Sequence, residues 1–128
     1  IDAFFMNEDR HTNNIAVIYN EKTQKYELSP FFDQGLCMFA DINQDYPIDQ
    51  SLEYCLEKIE AKPFSSDFDI QLDAAEELYG IQIGFQFTFK DIQIYLQKNS
   101  ENYPREVVRR VEQLLRRQMR KYGYLMKK

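Results

Sequence analysis

The 128 residues are 44% apolar and 15% aromatic and carry a formal charge of −5, a composition that supports one domain with a real core and excludes intrinsic disorder. The longest apolar runs, such as Ile15 to Tyr19, are too short to cross a bilayer, and no basic start precedes an apolar signal core, so a cytoplasmic setting without membrane contact is expected. Cys37 and Cys55 lack Cys-x-x-Cys spacing and read as reduced thiols, not as a redox or zinc pair.

In chain order, Ile1 to Met6 reads as the end of a helix whose apolar pattern (Ile1, Phe4, Phe5) is expected to continue upstream of this sequence. Residues Asn7 to Asn14 form a polar, turn-prone loop, rich in side chains that hydrogen-bond their own backbone. Ile15 to Tyr19 predicts a strand buried on both faces, and Tyr26 to Ser29 alternates as a strand exposed on one face, with Asn20 to Lys25 as the polar hairpin tip. Pro30 cannot donate to a ladder, so Phe31 to Gly35 leaves the second strand as a loop.

Four helices follow. The first, capped by Asp49, carries Leu52, Cys55, Leu56 and Ile59 on one side and ends before Pro63. The second starts near Ser66 or Asp67, presents Ile70, Ala74 and Leu78, and stops at Gly80. The third is capped by Thr88 and offers Phe89, Ile92, Tyr95 and Leu96. The fourth begins after Pro104 and lines up Val107, Val108, Val111, Leu114, Leu115, Met119 and Tyr122 in one stripe before Gly123. Between the second and third, the alternation of Ile81, Ile83, Phe85, Phe87 and Phe89 also fits a strand. The expected class is mainly α with one small antiparallel hairpin, in a single domain over 1–128.

Asp9 and Asn14 stand five residues apart, an offset that would point them about 140° apart on a helix and to opposite faces of a strand. Only a loop curling back can bring them together, and the composition there independently calls for a loop. The hairpin then folds the chain back, so that Asp33 at its exit can lie near Asn14 at its entrance. Two carboxylates and an amide oxygen converging at strand ends make a hard-oxygen site suited to magnesium and nucleotide phosphates. Phosphoryl transfer needs such a site together with a carboxylate that accepts the proton of the attacking hydroxyl.

These residues carry a resemblance. Asp9-x-His11-x-x-Asn14, a hairpin, and then Leu28-Ser29-Pro30-Phe31-Phe32-Asp33-x-Gly35 resembles the HipA-like branch of the protein-kinase superfamily. The match covers about the first third of the chain. It implies a kinase-like C-terminal lobe that uses ATP and Mg2+, with Asp9 as catalytic base and Asn14 and Asp33 as metal and nucleotide ligands. The acceptor it implies is a protein serine or threonine hydroxyl, and an antitoxin-type protein partner belongs to the same picture. Phosphatidylinositol kinases, with Asp-Arg-His-x-x-Asn, and aminoglycoside-type phosphotransferases are weaker resemblances. The glycines, Gly35, Gly80, Gly84 and Gly123, cannot form a phosphate loop, so an N-terminal lobe is expected to be absent and the fragment alone inactive or weak.

Plainer readings stand beside these. His11 braces the loop by hydrogen bonds, since one histidine is too few for a zinc hydrolase. Arg10 is a solvated or loop-pinning residue, and Gln34 and Gly35 let the chain turn beside the metal. The basic stretch, from Arg105, Arg109 and Arg110 through Arg116, Arg117, Arg120 and Lys121 to Lys127 and Lys128, reads as a solvated or intradomain face, with direct nucleic-acid contact not expected. The alternative function is a noncatalytic, pseudokinase-like interaction module or a nucleic-acid-binding domain that uses this helix.

Overall fold

A computed structural model describes residues 1–127; Lys128 of the basic stretch lies outside them. The elements are α1 (Asp2–Phe5), β1 (Val17–Asn20), β2 (Lys25–Leu28), α2 (Leu52–Lys58), α3 (Phe68–Tyr79), α4 (Phe89–Asn99) and α5 (Arg105–Lys121), with single 3-10 turns at Thr12–Asn14, Ser100–Asn102 and Gly123–Leu125. The two strands form one antiparallel sheet, so the fold is mainly helical with a small hairpin.

Local chemistry accounts for most boundaries. The Asp67 carboxylate accepts from the amides of Asp69 and Ile70 at the start of α3 (2.8 and 3.0 Å), and Gly80 ends that helix at φ 73°, a conformation that suits a residue without Cβ. Thr88 and Asp91 form a reciprocal capping box on α4. Pro104 precedes α5, where its missing N–H costs nothing. The cap of α2 is Ser51, whose hydroxyl accepts from Tyr54 N at 3.1 Å, and not Asp49: residues 47–50 form a separate turn closed by Gln50 N to Pro47 O at 3.0 Å. In the hairpin Val17 pairs with Leu28 and Asn20 with Lys25, and Ser29 N donates to Ala16 O at 2.9 Å, which extends the stem toward both flanking loops. At the tip, Asn20 Oδ1 accepts from Lys22 N at 3.0 Å.

The core gathers around α5. Leu114, Leu115 and Tyr122 are buried against Phe4, Cys55, Phe68 and Ile92 from the other four helices, with Val111 and Met119 at the margin, as the apolar stripe predicts. Phe4 sits at the centre of an aromatic cluster, its ring 4.6 Å from Phe85 and 4.9 Å from Phe5. Phe85 and Phe87 enter the core from an extended segment that makes only one isolated parallel bridge, Phe85 to Met126, so residues 81–89 form no regular strand. Cys37 and Cys55 are free thiols.

Burial departs from expectation in both strands and in two helices; β2, expected to be exposed on one face, is exposed at every residue. β1 is exposed on both faces, with Val17 at 62%, Ile18 at 52% and Tyr19 at 48%, because a two-stranded ribbon standing off the helices has no layer to pack on. In α3, Ile70 and Leu78 point outward while Phe68 and Leu72 meet the core; the contacting face is rotated from the stripe drawn through Ile70, Ala74 and Leu78. In α4, likewise, Ile92 and Leu96 turn inward and Tyr95 outward.

α5 also carries buried polar side chains that tie α1 and the loop before α2 to the helical body. Gln118, fully buried, donates through Nε2 to the carbonyls of Ala3 and Phe4 (2.9 and 3.0 Å), meeting acceptors that α1 is too short to satisfy. Its Oε1 accepts from Arg117 Nη1 at 2.7 Å. Arg110 donates to the carbonyls of Pro47, Tyr46 and Phe39 at 2.7, 2.8 and 3.3 Å and so holds the loop between β2 and α2. Gln118→Met, which keeps the volume and removes the donors, is expected to destabilise the fold by about 1–3 kcal/mol for stranding buried carbonyls. The midpoint of a urea titration, at unchanged slope, measures this.

Candidate active site

The loop after α1 closes on itself through side chains. Asp9 N donates to Asn7 Oδ1 (3.1 Å) and Asn7 Nδ2 to Asp2 Oδ1 (3.3 Å), while Asn14 sits at the end of a 3-10 turn with its own N–H on His11 O at 2.9 Å. Asn14 is buried, and its Nδ2 donates to the Asp9 carbonyl at 2.7 Å, spanning the five-residue offset that regular structure cannot close. A carbonyl only accepts, so this bond fixes the amide orientation: Nδ2 faces inward. Nδ2 also faces His11 Nε2 at 3.2 Å, which accepts when the imidazole proton is on Nδ1; Nδ1 is buried without a partner among the described residues. His11 Nε2 also lies 3.6 Å from Asp9 Oδ1, beyond hydrogen-bond length.

Arg10 joins this loop to the one after the hairpin. It is only 3% exposed; Nε and Nη2 hold the two Asp2 carboxylate oxygens at 3.0 and 3.1 Å, while Nη1 donates to Asn14 O at 3.1 Å and to Phe32 O at 3.3 Å. Nη2 also reaches Gln34 Oε1 at 3.3 Å. The residues on both sides of Asp33 are therefore held by the same guanidinium that holds Asn14. Farther along, Glu8 N donates to Leu36 O (3.1 Å) and Met38 N to Phe5 O (2.9 Å), so the two segments run side by side.

Asp33 turns the chain at φ 54°, a left-handed conformation that aspartate tolerates better than bulky residues. It is exposed and takes part in no ion pair among the described residues. Gly35 is not needed for the turn: its φ is not positive and a Cβ there would meet nothing within 4 Å. Among the described residues no group of three or more His, Cys, Asp or Glu side chains is placed to hold a metal. Asn14 Oδ1 is the amide atom left over once Nδ2 is engaged, and among the described residues no contact joins it to the Asp33 carboxylate.

Beside this loop lies a cleft of about 310 Å³ lined by Glu8, Asp9, Leu36, Asp45, Tyr46, Lys58, Glu60 and Lys62. Asp9 forms part of its wall, and Lys58 Nζ is held by Asp45 (2.9 Å to its carbonyl). Tyr46 donates its hydroxyl to Glu8 Oε2. Burial pushes the Glu8 carboxyl above its usual range; the Tyr46 hydrogen bond opposes this, while Asp45 and Asp41 reinforce it. Because the raised value favours the neutral carboxyl in the fold, Glu8 stabilises the protein below about pH 4.5 and loses that contribution as pH climbs through the folded-state value. Glu8→Gln is therefore expected to gain stability relative to wild type as pH rises from 4 to 7, a trend that thermal midpoints across that range measure; a constant difference would reject it.

No family model, curated protein or solved structure matches the chain. The curled loop brings the Asn14 side chain onto the Asp9 main-chain carbonyl, not onto its carboxylate. What the spacing does not reveal is the Asp2 and Arg10 pair, because the guanidinium's other acceptors, at Phe32 and Gln34, are 22 and 24 residues away.

Proposed function

We propose that this chain is the catalytic lobe of an ATP- and magnesium-dependent phosphotransferase of the HipA-like kind, transferring the γ-phosphoryl group to a protein serine or threonine hydroxyl in the cytoplasm. The observation that carries the reading is the orientation of Asn14: its amide nitrogen is held by the Asp9 carbonyl at 2.7 Å, leaving an oxygen as the ligand atom beside the loop that carries Asp33. Magnesium, when bound, would neutralise charge on the nucleotide phosphates. Asn14 Oδ1 and the Asp33 carboxylate would hold it.

Asp9 takes the base role. Its carboxylate is partly exposed on the wall of the cleft, where an acceptor hydroxyl can reach it, and its backbone is pinned by Asn7 and Asn14. In the transfer, the acceptor oxygen forms a bond to the γ-phosphorus, the bond from that phosphorus to the bridging oxygen breaks, and the hydroxyl proton passes to an Asp9 oxygen.

A noncatalytic interaction module is the second reading, and the exposed apolar side chains of the hairpin, such as Tyr26 at 73%, favour it. Calorimetric titration of the intact protein separates the two. Nucleotide binding should require magnesium and be lost in Asp33→Ala; magnesium-independent or absent binding sinks the phosphotransferase reading. Asp9→Ala should retain nucleotide while its turnover falls by on the order of 10²-fold or more. A near-normal rate in that variant would remove Asp9 from the base role.

A further inference from the structure

Arg10 has more structural work than a loop tie requires. It is buried, carries the only ion pair to Asp2 among the described residues, and distributes its remaining N–H groups over a carbonyl of the Asp9–Asn14 loop and a carbonyl and side chain flanking Asp33. We infer that Arg10 is a positioning residue that sets the separation of Asn14 and Asp33, so that metal affinity depends on a guanidinium that touches neither metal nor substrate. The inference rests on the phosphotransferase reading for the identity of the ligand, and on the geometry alone for the coupling of the two loops.

The argument follows from donor geometry. Nη1 donates to Asn14 O and Phe32 O together, at 3.1 and 3.3 Å, so one nitrogen fixes two chain segments that have no ladder between them. The carboxylate of Asp2 holds the planar group in place through two parallel bonds, which removes the freedom to follow one loop and abandon the other. Asp2 belongs to α1, whose carbonyls at Ala3 and Phe4 are anchored by Gln118 of α5. The two candidate ligand loops are thereby registered against the helical core, and not only against each other. Asp33 turns the chain at φ 54° between Phe32 and Gln34, the two residues that Arg10 holds. A lysine at position 10 keeps the charge next to Asp2 but offers a single nitrogen, which cannot serve acceptors spread around a fork.

The test uses the intact protein in two measurements on wild type, Arg10→Lys and Gln34→Ala. Amide hydrogen exchange reads the coupling: in Arg10→Lys, peptides covering 9–14 and 31–36 should both exchange faster, while the hairpin pairs of 17–28 and the buried turns of α5 keep their wild-type rates. Magnesium titration of nucleotide binding reads the consequence: half-saturation should shift to about 10-fold higher magnesium, the size expected when a group that orients metal ligands is lost. Gln34→Ala removes one exposed acceptor from the set, so it should fold normally and show a smaller shift in the same direction. Rate changes confined to 9–14, or an unchanged magnesium requirement in Arg10→Lys, overturn the inference. If Arg10→Lys loses α5 protection through global unfolding, Gln34→Ala decides: an unaltered magnesium requirement there also overturns it. A wild-type protein that binds no magnesium nucleotide, while the two segments still loosen together, overturns the phosphotransferase reading and with it the metal half, reducing Arg10 to a structural tie.

Discussion

A guanidinium buried beside a single carboxylate is a demanding object, because its five N–H donors all need acceptors and only two can be met by Asp2. Around Arg10 the remaining acceptors are the carbonyl that ends a 3-10 turn at Asn14, the Phe32 carbonyl and the Gln34 side chain. The match is mutual: loop oxygens that would otherwise be stranded satisfy a charge that would otherwise be desolvated without compensation. The same solution recurs twice on α5, where Arg110 collects the carbonyls of Phe39, Tyr46 and Pro47 and Gln118 those of Ala3 and Phe4. Long stretches of this chain lack regular structure, and Arg10 and Arg110 do for them what ladders do elsewhere, while Gln118 fastens α1.

Legibility in the sequence tracks how local the cause is. Thr88, Asp67, Gly80 and Pro104 mark helix ends by chemistry acting within a few residues, and the structure has those ends where the sequence predicts them. Asp49 and Ser51 compete for one helix start with similar side chains; the winner is decided by the turn that occupies residues 47–50, which is invisible to a capping rule. Burial fails differently. An apolar run at Ile15 to Tyr19 announces a strand but not the layer it needs, and the strand formed here has both faces open. At the candidate site the loop closure between Asp9 and Asn14 was legible, because no regular geometry permits it. The guanidinium that ties that loop to Phe32 and Gln34 was not, since nothing in a sequence says which of many arginines will be buried.

A two-stranded ribbon has little stability of its own in water. Here its ends are fastened and its tip is free. The stem gains Ser29 N to Ala16 O beyond the last paired residues, and immediately beyond that pair the flanking chains meet at Arg10. Tyr19 and Tyr26 face each other across the strands with ring centroids 4.9 Å apart, a cross-strand pair that helps the ribbon persist without a covering layer. Stability therefore enters the hairpin from the end that carries Asn14 and the approach to Asp33, and the candidate site sits at the best-fixed part of an otherwise weak element.

The basic helix bears on whether this domain is built to hold a polyanion by charge alone. Of the six arginines in α5, Arg110 is buried on carbonyls, Arg116 lies over the Phe89 ring at 4.3 Å and beside Glu112 at 3.6 Å, and Arg117 bonds Gln118. Lys121 pairs with Asp69, whose carboxyl burial would raise but which the hydrogen bonds from Lys121 and Tyr122 hold below its usual range. These charges fasten α5 to α3, α4 and the loop before α2. Binding a polyanion by charge requires several cations free to meet successive phosphates, and of the arginines in this helix Arg105, Arg109 and Arg120 are the ones left exposed without an ion pair among the described residues. On a domain of net charge −5, phosphate is better drawn to a point where a divalent ion offsets the acidity locally. Under the proposed phosphotransferase reading, the oxygens of Asn14 and Asp33 at the hairpin's root would offer such a point, whereas the most basic segment of the chain would not.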